Sequence, residues 1–121
     1  QVIFCLRGMK TSFNAPHRNM VDFAHVPIIK RLTRMPVCID PSHSVGTRET
    51  SPDGVLDVLH STSQGIIAGA NMVLVDFHPS PTEALVDGPQ ALTLDELPKF
   101  IEDTRISREA YKQRVELWAE K

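Results

Sequence analysis

The amino-acid sequence predicts an α/β fold built on a parallel sheet, and two observations lead to this class. First, three short apolar runs are continuous rather than alternating, which is typical of parallel strands covered on both faces. These runs are Val2–Leu6, Pro36–Asp40 and Asn71–Phe77. Second, segments with helical spacing separate the runs, which gives the order β-α-β-α-β.

Two helical segments connect the predicted strands. The apolar residues of the first are Val21, Ala24, Ile28 and Leu32. Asn19 is a good N-cap for this helix, and Pro27 predicts a kink or a restart within it. The apolar residues of the second are Val55, Leu56, Leu59, Ile66 and Ile67. Gly69 is its predicted stop.

The sequence predicts two more helices after the sheet. Thr93 and Glu96 form a T-x-x-E capping box for the first, and Ser107 is the predicted cap of the second. Their apolar residues are Leu97, Phe100 and Ile101, then Tyr111, Val115 and Trp118. The last segment is otherwise charged, so we expect 104–121 to form a helical tail. One apolar stripe of this tail would pack on the surface or against a partner.

Composition limits the classes of function. The 121 residues suffice for one small domain, and a formal net charge of -2 indicates no affinity for nucleic acid or an anionic membrane. No apolar run approaches the ~20 residues that cross a bilayer. We interpret Cys5 and Cys38, inside apolar runs, as reduced, buried thiols of a cytoplasmic protein. The start at Gln1 within an apolar run indicates a fragment or a processed chain.

Polar residues follow each predicted strand, and the carboxyl ends of parallel strands meet at one edge of a sheet. Arg7, His43, Asp76 and His78 should converge there. With Asp87, which lies in a turn-like Asp-Gly context, His43 and Asp76 make a reasonable divalent-metal set. Mixed nitrogen and oxygen ligands suit Mn, Fe, Zn or Co without selecting among them.

Each of these residues also has a simpler interpretation. His43 could belong to a capped turn, and the side chain of Asp40 could merely cap that turn. Arg7, with Lys10 nearby, suits a phosphate or a carboxylate, but an exposed loop arginine is equally compatible. Arg18 could bind an anion at a helix start or simply be solvated.

The remaining charged candidates look structural. His17, His25 and His60 have no convincing partners in the sequence, and Arg48 and Glu49 fit loop charges better than catalysts. From the residues alone, the sequence predicts an α/β protein with an anion and metal site.

Three strings in order carry a more specific signal. They read CLRGMKTSF, HRNMVDFAHVPIIKRLTRMPVCIDPSHSVG and AGANMVLVDFHPSPTEALVDGPQALTLDEL. Together they closely resemble 3-deoxy-D-arabino-heptulosonate 7-phosphate (DAHP) synthase, in the branch related to 3-deoxy-manno-octulosonate 8-phosphate synthase. The resemblance runs from Val2 to Ile101. Its R-N-x-x-D-x-x-x-V-P segment favours DAHP synthase over the octulosonate enzyme.

The resemblance implies a (β/α)8 barrel that condenses phosphoenolpyruvate with erythrose 4-phosphate, at the head of the shikimate pathway, with a divalent metal. It implies that His43, in D-P-S-H, and Asp87, in L-V-D-G-P-Q, are metal ligands. Asp76 falls where the family has a glutamate ligand. Arg7 matches the arginine that binds the phosphate of phosphoenolpyruvate. Arg7, Lys10 and Arg18 are the predicted substrate-binding residues.

The departures from the family are equally informative. Asp76 is one methylene shorter than glutamate, so it binds metal only if the backbone moves or a water intervenes. Leu6 replaces the glutamate that precedes the arginine in many relatives. The family's cysteine ligand, its lysines and its sugar-phosphate loop belong to the first half of the barrel, and Cys5 and Cys38 do not match that cysteine.

The resemblance therefore predicts that 1–121 is a single half-barrel domain, strands five to eight of the (β/α)8 barrel. Exposed strand edges would make a half-barrel unfavourable as a monomer. We expect a homodimer or a complementary N-terminal half. Two other hypotheses stay open, namely a non-catalytic homologue that binds metal or phosphate, and a divergent aldolase acting on a related sugar phosphate.

Overall fold

A computed structural model of the chain describes residues 1–13 and 15–119. It contains a three-stranded parallel sheet, in which the strands lie side by side in chain order. The strands are β1 (Phe4–Leu6), β2 (Val37–Ile39) and β3 (Met72–Val73). Each strand lies inside one of the three predicted apolar runs, so the predicted α/β class with a parallel sheet is confirmed.

Four α-helices accompany the sheet within the described ranges: α1 (His25–Thr33), α2 (Pro41–Val45), α3 (Asp57–Ile67) and α4 (Leu97–Ala119). The helices α1 and α3 connect the strands as predicted. Asn19 is not the cap of α1, because the N-cap position falls at Ala24. Pro27 lies in the first turn of α1, where a missing N–H costs no hydrogen bond.

The prediction of two separate C-terminal helices is wrong. A 3-10 turn, Leu94–Glu96, leads into the single helix α4, and the capping box at its start is confirmed. Ser107 lies inside α4 and is buried, with its hydroxyl 2.8 Å from Ser63 Oγ on α3. This contact replaces the predicted capping role. Residues 120 and 121 of the predicted tail lie outside the described residues.

The two faces of the sheet have different surroundings. Ile39 is paired in register with Leu6 and Val73, and this row packs against the buried core that includes Val26 of α1. Side chains alternate along a strand. The neighbouring row, Cys5, Cys38 and Met72, therefore lies on the opposite face of the sheet.

This second face is only partly covered. Cys38 is buried, but Cys5 is exposed, contrary to the prediction that both thiols are buried. Met72 and Leu74 are also about half exposed, at 47% and 50%. We call this surface, formed by Cys5, Cys38, Met72 and Leu74, the open face of the sheet.

A second core cluster forms beyond the strands. Val45, Val58 and Leu92 are buried together, and Phe77 packs edge-on against Phe100 of α4 with ring centroids 5.4 Å apart. Phe77 also forms an isolated parallel bridge with Leu92. The chain after β3 is thereby anchored beside the carboxyl ends of the strands. None of the helices in the described ranges has the length and apolarity needed to cross a membrane.

Candidate metal and anion site

The candidate site lies where β2 meets α2. Asp40 directly follows β2, and its Oδ1 accepts a hydrogen bond from the His43 backbone N–H at 3.1 Å, which caps α2. Pro41 occupies the first helical position, for which its fixed φ is suited. Because α2 is a single short turn, the side chain of His43 is held at the carboxyl end of the sheet.

The three predicted ligands converge, with the carboxylates of Asp76 and Asp87 both close to the His43 Nε2. Its Nε2 lies 3.3 Å from Asp87 Oδ1 and 3.9 Å from Asp76 Oδ2. One ligand atom from each of the three residues lies within 4.8 Å of the other two. One imidazole nitrogen and two carboxylate oxygens are a donor set that suits a divalent transition metal. The residues present therefore fit such an ion, and their role as ligands stays a prediction.

The backbone fixes both carboxylates. The Asp76 N–H donates to Ser42 Oγ at 2.9 Å, and the Asp76 carbonyl accepts from the Leu92 N–H at 2.9 Å. Asp87 adopts the left-handed conformation with φ of 55°, just before the 3-10 turn Gly88–Gln90. Aspartate tolerates this conformation better than most residues. The turn thereby directs Asp87 toward His43.

Asp40 connects the two parts of the site, a role beyond the turn cap that the sequence suggested. Its Oδ2 lies 2.7 Å from His43 Nδ1 and accepts from Arg7 Nε at 3.2 Å. The carboxylate is buried, with only 2% of the side chain exposed. A carboxylate on one ring nitrogen fixes the tautomer and leaves the other nitrogen available to a metal. Asp40 therefore orients His43 and also holds Arg7 beside it.

The other predicted anion-binding residues differ in their placement. Arg18 Nη2 donates to Gln90 Oε1 at 3.3 Å, and Gln90 Nε2 donates to Asp76 Oδ2 at 3.3 Å. Gln90 carries no motif in the sequence that predicts this contact. Lys10 is exposed, and within the described ranges no hydrogen bond or ion pair of its side chain ties it to the cluster.

A cavity of about 450 Å³ adjoins the carboxylates, and Asp76, His78 and Asp87 contribute to its wall. His78 Nδ1 accepts a hydrogen bond from the Ser80 N–H at 2.9 Å, which orders the following loop. Leu85 and Val86, also on the wall, are strongly exposed. The cavity therefore adjoins the two carboxylates of the cluster, Asp76 and Asp87.

His17 and His60, for which the sequence predicts no partners, each pair with an aspartate. His17 Nε2 lies 2.7 Å from Asp57 Oδ2, and His60 Nε2 lies 2.7 Å from Asp53 Oδ2. Hydrogen bonds from His17 and Ser51 lower the pKa of Asp57 below its usual value. These pairs lie outside the His43 cluster.

The thiol of Cys38 is buried beside the site. Burial, the neighbouring Cys5 and the charge of Asp40 raise the pKa of Cys38 to about 12. The thiol therefore stays protonated near neutral pH in the metal-free protein, and a protonated thiol is a poor nucleophile.

The fold and the cluster together define a class: a parallel α/β protein with a candidate metal and anion site at the carboxyl ends of its strands. Comparison with known proteins makes the assignment specific, because residues 1–113 match the DAHP synthetase I family. The chain belongs to this family, within the superfamily of DAHP synthases and octulosonate 8-phosphate synthases.

Individual relatives agree with this assignment. The chain is 32% identical to the phospho-2-dehydro-3-deoxyheptonate aldolase of Thermotoga maritima over 95% of its own length and 32% of the relative's. It is 29% identical to a 2-dehydro-3-deoxyphosphooctonate aldolase of Legionella pneumophila, covering 93% of this chain and 41% of the relative.

The crystal structure of the Thermotoga maritima DAHP synthase superimposes with a TM-score of 0.76 and 34% identity, over 89% of this chain and 29% of that one. The chain thus spans roughly a third of the length of the relatives it matches.

Proposed function

We propose that this chain carries part of the active site of a DAHP synthase, which condenses phosphoenolpyruvate with erythrose 4-phosphate. The observation that supports this most directly is the convergence of His43, Asp76 and Asp87, with Arg7 held beside them by Asp40. Family membership supports the reaction class, and the R-N-x-x-D-x-x-x-V-P segment favours the heptulosonate reaction over the octulosonate one.

In this proposal the residues of the cluster have three different roles. His43, Asp76 and Asp87 would hold a divalent metal, which when bound would supply a Lewis acid for the aldehyde of the acceptor sugar. Arg7 binds and orients the phosphate of phosphoenolpyruvate, so that the enol carbon faces that aldehyde. Asp40 keeps the Nε2 of His43 directed at the two carboxylates.

We also propose that the chain forms the second half of a (β/α)8 barrel, strands five to eight, completed by a second copy or by a complementary half. Three observations support this: the sheet has an open face, its outer strands β1 and β3 have unpaired edges within the described ranges, and Leu92 bridges Phe77 in parallel where a fourth strand would follow. Unpaired edges favour association with another chain.

A second candidate is a non-catalytic homologue that binds metal or phosphate. The observation in its favour is the ligand set, because in the part of the chain that the structure describes no cysteine joins His43, Asp76 and Asp87. The cluster would then retain an ion without completing the chemistry.

One assay separates the two candidates. Phosphate release is measured with phosphoenolpyruvate, erythrose 4-phosphate and Mn²⁺, for the chain alone and for the chain mixed with the N-terminal half of a DAHP synthase, while metal affinity is measured by titration in parallel. We expect release that requires both substrates and the metal, and that falls in His43→Ala but not in the control His60→Ala. Metal binding without turnover supports the non-catalytic homologue. Unchanged metal affinity in His43→Ala refutes the site.

A further inference from the structure

The side chain of Gln90 is fully buried at 0% exposure, although it carries two polar groups. Both groups are used. Its amide nitrogen donates to Asp76 Oδ2 and its amide oxygen accepts from Arg18 Nη2, each at 3.3 Å. A carboxylate only accepts and a guanidinium only donates, so the orientation of the amide is fixed by its partners.

We propose that Gln90 is a positioning residue that couples the metal ligand Asp76 to the anion-binding Arg18. This inference rests on the proposed function, because it takes Asp76 as a ligand of the metal, and on the sequence-based prediction that Arg18 binds an anion. An amide is the side chain that satisfies both partners at once. A glutamate at this position would place a second negative charge 3.3 Å from Asp76, and an apolar residue would leave both contacts unmade.

The backbone around Asp76 explains why a positioning residue matters there. Ser42 and Leu92 already fix the backbone of Asp76 on both sides, so only its side-chain torsions remain to be set. A short aspartate has little reach, and its ligand oxygen must point at His43. The hydrogen bond from Gln90 selects that orientation.

The other end of the link is equally constrained. The Arg18 N–H donates to the carbonyl of Val45 at 2.9 Å, and the Arg18 side chain crosses Gly46. A Cβ at Gly46 would lie 2.8 Å from Arg18 Cβ. The absence of a side chain at Gly46 therefore leaves room for the Arg18 side chain to extend to Gln90. An anion bound at Arg18 and a metal bound at Asp76 therefore act on the two ends of one buried amide.

Thermodynamic linkage makes such coupling reciprocal. In the wild-type chain we expect phosphate to change the affinity for Co²⁺, and Co²⁺ to change the affinity for phosphate by the same factor. In Gln90→Met, which keeps the volume and removes both hydrogen bonds, we expect Co²⁺ affinity to fall ~10-fold, in the range for lost supports of metal ligands. In this variant, the factor by which phosphate changes the affinity for Co²⁺ should approach one.

The experiment titrates Co²⁺, followed by its visible absorption, with and without inorganic phosphate, in the wild type, Gln90→Met and the control Gln64→Met. Gln64 is an exposed residue of α3, and its substitution should change neither affinity nor linkage. In an Asp76→Ala background, the effect of Gln90→Met on Co²⁺ affinity should disappear, which a merely structural role would not produce.

The outcomes are distinct. If the wild type binds Co²⁺ through His43 and folded Gln90→Met keeps both affinity and linkage, the inference is wrong and the proposed function stands. If the wild type binds no Co²⁺, the proposed function fails and the inference fails with it. If Gln90→Met does not fold, Gln90→Asn replaces it. Asparagine keeps the amide but is one methylene shorter, so it cannot contact Asp76 and Arg18 at the same time. Unchanged linkage in Gln90→Asn equally overturns the inference.

Discussion

At the scale of the residue, Asp40 shows how one side chain combines a structural and a functional task. Its Oδ1 caps α2, while its Oδ2 contacts both His43 and Arg7. Burial of a carboxylate is costly unless its oxygens are satisfied by donors. Here the three donors are one backbone N–H and two candidate site residues. Because the buried carboxylate needs all three donors, the same side chain stabilises the start of α2 and fixes the positions of His43 and Arg7.

Asp40→Asn should weaken metal binding without unfolding α2. Asparagine is as good an N-cap as aspartate, but it removes the charge that orients His43 and Arg7. We expect the dissociation constant for Co²⁺ to rise ~10-fold, as measured by absorption titration. Asp53→Asn is the matched control, because Asp53 contacts His60 at the same 2.7 Å away from the site. Equal affinity of folded Asp40→Asn and wild type would refute this role.

Part of the candidate site was predictable from the sequence. His43 and Asp76 follow strands, and the parallel sheet brings strand ends together, so their convergence with Asp87 could be expected. Gln90 could not be found this way. Its contact with Arg18 joins residues 72 positions apart, and its significance comes from burial, which depends on the packing of the whole domain.

At the scale of the element, the capping box at the start of α4 is part of a larger contact. The carboxylate of Glu96 accepts from the Thr93 N–H and forms a bidentate pair with Arg48, whose guanidinium also donates to the Ala91 carbonyl. The sequence predicts a simple loop charge at Arg48, but its guanidinium has these partners in the structure. It fastens the loop after α2 to the N-terminus of α4.

This pair predicts a defined pH dependence. The Arg48 hydrogen bond and the Thr93 N–H lower the pKa of Glu96 below its ordinary 4.5. The unfolded chain thus takes up the proton first as pH falls, so the stabilisation is complete above about pH 4.5 and is lost as pH falls through the lower pKa of the folded state.

Glu96→Gln should therefore lower the free energy of unfolding by about 1 kcal/mol at neutral pH, and the difference should vanish in acid. Urea unfolding at several pH values measures it. Glu102→Gln, which removes an exposed pair with Arg105, is the control and should have no measurable effect. A difference between Glu96→Gln and wild type that persists unchanged below pH 3 would contradict the assignment.

The errors in the predicted elements have physical reasons. The five residues of α2 are too few to show a helical period, and Asp40 and Pro41 read equally well as a turn. The break predicted in α4 at Ser107 is absent because that hydroxyl has a partner on α3. Local sequence signals a possible cap, but the packing of α4 on α3 decides whether the helix continues.

At the scale of the whole molecule, the sheet has one covered and one open face. The row of Leu6, Ile39 and Val73 is packed against the helices. Cys5 and Met72, in the neighbouring row, are exposed although they lie in the sheet. An exposed apolar face with unpaired strand edges is a surface on which chains associate. In the proposed barrel, the second half would cover the open face.

The thiol of Cys5 reports directly on that closure. In dilute solution we expect a thiol-reactive disulfide reagent to label Cys5 quickly, because it is exposed. Cys38 should react slowly, because it is buried and its pKa is raised to about 12. As the protein concentration rises, association should bury the open face and slow the fast phase, in parallel with the mass measured by light scattering. Cys5→Ser should remove the fast phase and leave the slow one, which assigns the phases.

A well-folded monomer at micromolar concentration, with Cys5 labelled at the same rate at every concentration, would refute self-assembly of half-barrels. The complementary half would then be the remaining way to close the sheet, and adding the N-terminal half of a DAHP synthase should protect Cys5 where self-association does not.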